Sequence, residues 1–133
     1  MEKELVDYII KQAIQQATTP ITVSIVNESG RLVSLYRAPG CSSLSLEVSR
    51  QKAITASQFR MPTHVIGEMS QKFPVIQAHF HANSEFSTLP SGFPLLQGRR
   101  LLGGIGIAGG KVEQDQTIGA KAAQIDDYYV ACN

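Results

Sequence analysis

A run of glycines inside an apolar segment sets the strictest limit on how this chain can fold. Leu101, Leu102, Ile105 and Ile107 are interleaved with Gly103, Gly104 and Gly106, and Gly109-Gly110 follows. Such a segment reads as a buried strand, and glycines inside a strand mark places where another backbone or a ligand comes close. Gly109-Gly110 breaks the strand. Val112, Ile118, Ala122 and Ala123, with Glu113 and Asp115 near the start, then predict a helix whose N-terminal amides point back toward the glycines.

Gly104-x-Gly106-x-x-Gly109 has the spacing of a dinucleotide-binding fingerprint. That fold needs a strand, a glycine turn, a helix and a second strand ending in an acidic residue. Here the glycines fall within the expected strand, and Asp126-Asp127 precedes Tyr128-Tyr129-Val130 instead of following it. Close packing is therefore preferred to a nucleotide grip.

The rest of the chain supplies partners for that strand. Val6, Ile9, Ile10, Ala13, Ile14 and Ala17 form the apolar stripe of a helix over about Lys3 to Thr18, ended by Thr19-Pro20. Ile21 to Val26 and Arg31 to Arg37 flank Asn27-Glu28-Ser29-Gly30 and read as an antiparallel hairpin. Gly30 supplies a positive φ, and Ile21, Val23 and Ile25 share one face. A second helix, capped by Ser42 or Ser43, runs to about Phe59, and its small Ala53, Ala56 and Ser57 permit close approach to a sheet. Thr63 caps a short third helix, Pro74 opens a fourth, and Ser84 to Ser91 is a polar loop or short strand leading into Gly92-Phe93-Pro94. Helices and antiparallel strands in this order give an α+β domain, with no linker or repeat to divide residues 1–133.

Charge and length narrow the partners. A chain of 133 residues can bury one ordinary core, and 12 basic against 11 acidic residues with no basic run argue against nucleic acid and anionic membrane. No apolar segment reaches the ~20 residues of a spanning helix, and Met1-Glu2-Lys3-Glu4 lacks a signal-peptide layout, so the chain reads as soluble and cytoplasmic. Cys41 and Cys132 are distant in sequence and read as free thiols.

Two imidazoles lie close in sequence at His79-Phe80-His81. On a strand they would share a face and could grip a metal ion; on a helix, the reading adopted here, positions i and i+2 point about 200° apart and cannot.

The glycine segment also carries a resemblance. Gly92-Phe93-Pro94, then Leu102-Gly-Gly-Ile-Gly-Ile-Ala-Gly-Gly110 and Gln114-Asp115, resembles the GlcG/HbpS-like family, which includes the C-terminal domain of PduO-type cobalamin adenosyltransferases. Val26 to Leu32, Arg37 to Gly40, and Lys52 to Ala56 with Phe59 and Pro62-Thr63 extend it over nearly the whole chain. The resemblance implies a profilin-like fold, with a five-stranded antiparallel sheet covered by helices, and assembly into homo-oligomers. It implies a ligand site drawn from Arg37, Glu47, Lys52, Ser91, Gly92, Pro94, Gly104 and Asp115. Such a set suits a small anionic or oxygenated ligand; the other reading is an internal salt-bridge network between hairpin and helix.

Haem or a corrinoid is the cofactor class that the resemblance brings with it. The resemblance implies a first-helix histidine as axial haem ligand, as in PduO-type C-terminal domains, whereas this chain has no histidine before His64, so an iron site would use His64, His79 or His81, or a weaker oxygen donor. Asn27 stands where relatives usually carry aspartate, and Ser91 where they usually carry glycine. The resemblance implies a non-catalytic accessory or binding protein of a glycolate, glycerol or propanediol type pathway, beside a cobalamin-dependent enzyme system. The alternative is an enzyme acting on a small hydroxy or carbonyl compound through Arg37, Glu47, Lys52 and Asp115, although no nucleophile accompanies them.

Overall fold

A computed structural model describes residues 1–132, with side chains as far as residue 130. The elements are α1 (Lys3–Gln16), β1 (Thr22–Asn27), β2 (Leu32–Arg37), α2 (Leu44–Phe59), α3 (Thr63–Gln71) and α4 (Pro74–Ala82). They continue with β3 (Gly92–Gln97), β4 (Arg100–Ala108), α5 (Val112–Ala122) and α6 (Asp126–Cys132). The strands pair antiparallel in the order β2-β1-β4-β3, which places the glycine strand β4 inside the sheet.

The architecture is α+β, but the sheet has four strands among the described residues and not five. Ser84 to Ser91 forms no ladder because its amides are engaged by side chains: Glu85 N–H donates to Asn83 Oδ1 at 3.0 Å and Ser87 N–H to Thr55 Oγ1 at 2.9 Å. Tyr128-Tyr129-Val130 lies in helix α6. Gly92-Phe93-Pro94, into which the Ser84 to Ser91 segment leads, starts β3, an edge strand where a proline costs no ladder hydrogen bond.

The two faces of the sheet are chemically different. Val23 and Ile25 of β1 lie opposite Ile107 and Ile105 of β4, and with Phe93 and Leu95 they form one core with Leu5, Val6 and Ile9 of α1 and Ile118 of α5. Each fully buried isoleucine or leucine contributes about 2 kcal/mol, so this layer carries most of the hydrophobic stabilisation. The opposite face bears Thr22, Ser24, Gly104 and Gly106, and α2 lies on it through Ser45, Ser49, Ala53 and Ser57. Buried hydroxyl pairs join the layers, Thr22 to Ser45 at 2.7 Å and Ser24 to Ser49 at 2.6 Å.

The glycines set this approach distance. A Cβ on Gly104 would lie 2.3 Å from the Ala53 carbonyl oxygen, and one on Gly106 would lie 2.0 Å from that of Ser49. The contact is with helix backbone, so the sequence expectation of a surface lying flush against this strand is met by α2.

At the β1–β2 hairpin, Asn27 Oδ1 accepts from Ser29 N–H at 2.9 Å and Arg31 N–H at 3.1 Å, with Gly30 at φ +79°. This side-chain mimic of a turn fixes the register of edge strand β2. Asn27→Ala is expected to lower unfolding free energy by about 1 kcal/mol in urea denaturation. An unchanged midpoint would remove the turn from the list of register-setting features. Cys41 is a buried free thiol, and the side chain of Cys132 lies outside the described residues. Among the described residues, no helix is long and apolar enough to cross a membrane.

Candidate functional site

The same helix-on-glycine packing places a charge inside the protein. Lys52 follows Ser49 by one turn on the sheet-facing side of α2, and a Cβ on Gly106 would lie 3.0 Å from its own Cβ. Gly106 therefore leaves the room through which the lysine stem passes. Its Nζ donates to the Ile107 carbonyl oxygen at 2.7 Å, and the residue is only 6 % exposed.

Asp115 approaches from the first turn of α5 and is 3 % exposed. Its Oδ2 accepts from Gly110 N–H at 3.1 Å, and Oδ1 from Gln114 Nε2 at 3.5 Å. Gly110 breaks β4 as the sequence indicates, and its amide turns back to hold the carboxylate. Burial pushes the Lys52 ammonium below its ordinary pKa, with the charge of Asp115 opposing the shift. Burial pushes the Asp115 carboxyl up, opposed by Lys52, Gln114 and the Gly110 amide. The ion pairs found among the described residues are Lys3–Asp7, Arg50–Glu47 and Arg50–Glu85, so Lys52 and Asp115 are neighbours without a direct pair.

Between them lies a cavity of about 210 Å³, open to solvent and bordered by the start of α2, the Leu89-Pro90-Ser91 segment and Gly109-Gly110. Ser91 is fully buried, has φ +94°, and its hydroxyl has no hydrogen-bond partner. Its carbonyl oxygen accepts from Ile107 N–H at 2.9 Å, which fixes the backbone there.

Of the residues proposed from sequence, Lys52, Ser91 and Asp115 thus line one cavity. Arg37 is exposed at the end of β2, and Glu47 is exposed and bound to Arg50, so neither lines it. Gly92 and Gly104 lie under α2 as packing positions: a Cβ on Gly92 would be 2.6 Å from the Lys52 carbonyl oxygen. Pro94 sits on the edge strand opposite Gly104. Sequence reasoning missed Ser45, Leu89 and Pro90 as lining residues; only the proline, as a loop marker, gave a signal.

The histidines do not converge. His79 and His81 are exposed in the last turn of α4, two positions apart and so on different sides of the helix. His64, at the start of α3, shares a hydrogen bond with Gln116 Nε2 through Nδ1 at 3.0 Å. Among the described residues, no three His, Cys, Asp or Glu side chains are grouped so as to hold a metal ion.

An antiparallel sheet with a glycine strand, an apolar two-helix layer on one face, a small-residue helix on the other and, at one end, a largely apolar cavity that also reaches Lys52, Ser91 and Asp115 defines a compact α+β class. The family model described as "Haem degrading protein HbpS-like" matches residues 2–124, and the chain belongs to this family. Corrinoid adenosyltransferase PduO of Salmonella typhimurium is 33% identical over 109 residues, which are 81% of this chain and 32% of PduO. The chain therefore spans about a third of the length of that curated relative. The solved PduOC:heme complex is 27% identical with a TM-score of 0.83 and 93% of each chain covered. HbpS shares the fold, at 21% identity and a TM-score of 0.83 over 94% of this chain and 89% of its own.

Family membership makes haem the group to test against these residues. The axial histidine that the resemblance places on the first helix has no counterpart, since α1 carries no histidine, cysteine or methionine, although Tyr8 lies on it as an oxygen donor of a type that ligates haem iron. The cavity beside Lys52 holds roughly seven waters' volume, far too little for a tetrapyrrole. The Lys52 cavity does not fit haem, and no chemistry at this site is derived through it.

Proposed function

We propose that the chain is a non-catalytic accessory binding domain that holds a small oxygenated metabolite in the Lys52–Ser91–Asp115 cavity. Its setting is a glycolate, glycerol or propanediol type catabolic pathway, where it works as a homo-oligomer beside a corrinoid-dependent enzyme system. The observation that carries this reading is the convergence of three buried polar side chains on one small cavity, one of them a hydroxyl with no internal partner. Buried polar groups are nearly always hydrogen-bonded, and Ser91 Oγ is one of two buried side-chain atoms among the described residues without a protein partner, so a ligand or a water is the partner it calls for. The matches to a corrinoid adenosyltransferase and to a heme complex support a haem- or corrinoid-related accessory role.

The test is thermal denaturation with glycolate, glycerol and 1,2-propanediol, with cobalamin and hemin as separate arms. A ligand at a hundred times its Kd adds about 2.7 kcal/mol to unfolding, which raises Tm by roughly 10 °C in a domain of this size. One of the small compounds is expected to do so, and stoichiometric hemin to give no Soret shift. Stoichiometric hemin binding with no response to any small compound would replace this reading with a tetrapyrrole carrier.

A second reading is supported by the depressed pKa of Lys52, since buried lysines with lowered pKa serve as bases and Schiff-base nucleophiles. The chain would then act on a small hydroxy or carbonyl compound through Lys52 and Asp115 alone, Arg37 and Glu47 being outside the cavity. Borohydride trapping of a carbonyl compound on Lys52 distinguishes it: a stable adduct supports the enzyme, and none is expected for a binding domain.

A further inference from the structure

We propose that the cavity takes a small monocarboxylate, seated between the Lys52 ammonium and the Ser91 hydroxyl, in preference to a neutral polyol. The inference rests on the small-ligand reading above and narrows it by charge.

An ammonium has three donors, and Lys52 places one on the Ile107 carbonyl at 2.7 Å. No carboxylate forms an ion pair with it, although a cation buried this deeply is stable only when well paired. Asp115 forms no ion pair with it, and its oxygens accept instead from Gly110 N–H and Gln114 Nε2. Val112, the first residue of the eleven-residue helix α5, also lines the cavity, where first-turn amides have no acceptors within the helix. Lysine, aspartate and this helix start together leave the cavity with a positive balance of about half a charge.

Ser91 supplies the second, independent observation. Its φ of +94° is a conformation in which a glycine rests without strain and an L-residue does not. A side chain therefore stands in a strained place, fully buried, with a hydroxyl that no protein atom engages. A carboxylate with one oxygen toward Lys52 and the other accepting from Ser91 Oγ–H satisfies both groups. The volume of about 210 Å³ suits an acid of a few carbon atoms.

The experiment titrates the full chain with sodium acetate and sodium propionate, and in parallel with glycerol and 1,2-propanediol, against sodium chloride of equal ionic strength. Amide shifts of Ser91, Gly109 and Gly110 in nitrogen-15 spectra report occupancy. Saturable shifts are expected with the carboxylates, at least about tenfold tighter than with the diols. Ser91→Ala, which keeps the strained backbone, and Ser91→Gly, which relieves it, should each weaken acetate by about tenfold, the value of a charge-assisted hydrogen bond. Lys52→Met should abolish saturation while retaining the folded spectrum.

Diols that saturate as tightly as acetate would overturn the carboxylate inference and leave the small-ligand reading standing. Failure of both classes to shift any cavity amide would overturn that reading as well. Unchanged acetate affinity in both Ser91 variants would remove Ser91 from the site.

Discussion

Gly106→Val is expected to lower the thermal midpoint by roughly 10 °C or more, measured by far-ultraviolet circular dichroism. A Cβ there would meet the Ser49 carbonyl oxygen at 2.0 Å and the Ala53 amide nitrogen at 2.9 Å. Both are helix backbone atoms, so no rotamer change relieves the overlap, and valine adds two further methyl groups. Helix α2 must lift from the sheet, which stretches the buried Ser24–Ser49 and Thr22–Ser45 hydrogen bonds and the Lys52 bond to Ile107. Overpacking of a tight core costs about 1–3 kcal/mol where side chains can adjust, and a backbone clash belongs at or above the upper end. Set against a typical total of 5–15 kcal/mol, that is a large part of the stability. Gly98→Asn is the control: its Cβ meets nothing within 4 Å, and asparagine tolerates the φ of +61°. Equal midpoints for Gly106→Val and wild type would refute the account of a helix resting on bare backbone.

This packing was legible in the sequence because two signals agreed. Glycines in β4 and small residues in α2 each predict a close approach, and each is the other's partner. The apolar face was legible for the same reason, since the period of α1 and the alternation of β1 both bring their residues to one core. Edge strand β3 was not, because Gly92, Pro94 and Gly98 imitate turn chemistry, and only the neighbouring strand shows that Pro94 faces an unpaired edge.

The cavity was half legible for reasons of helical geometry. Glu47 precedes Lys52 by five positions, which is about 140° around a helix, so burying one turns the other outward to Arg50. Spacing alone could have separated them. Arg37 ends an edge strand, and nothing in an alternating strand pattern says where its last side chain goes. Ser91 differs again: its residue type was visible, but its positive φ and unpartnered hydroxyl arise from the path of the Leu89-Pro90 loop, which no periodicity encodes. Sequence patterns thus found the helix that carries the charge and missed the loop that closes over it.

Asp115→Ala is expected to destabilise the chain by about 3 kcal/mol, whereas Lys52→Met should stay within about 1 kcal/mol of wild type. Alanine leaves the Gly110 amide without its acceptor and the buried Lys52 cation without the opposing charge beside it. Methionine keeps most of the stem's volume and removes the charge that burial disfavours. The double variant should therefore recover a large share of the loss, and urea denaturation of the four proteins measures the coupling as a double-mutant cycle. Additive losses would show that Asp115 acts only as the cap of the Gly110 turn. The pH dependence gives a second readout with a definite sign. Burial lowers the folded-state pKa of Lys52 below its ordinary 10.5, so the unfolded chain holds this proton over a window where the folded chain has released it. Stability from this group therefore rises with pH across that window, is complete above 10.5, and is lost as pH falls through the folded value. For Asp115 the folded pKa is raised above its ordinary 3.8, so its contribution is complete below that value and is lost as pH rises through the folded one. Relative to Lys52→Met, wild type should gain stability on the alkaline side; a constant difference between the two from neutral pH to about pH 10 would mean that Lys52 carries no burial penalty.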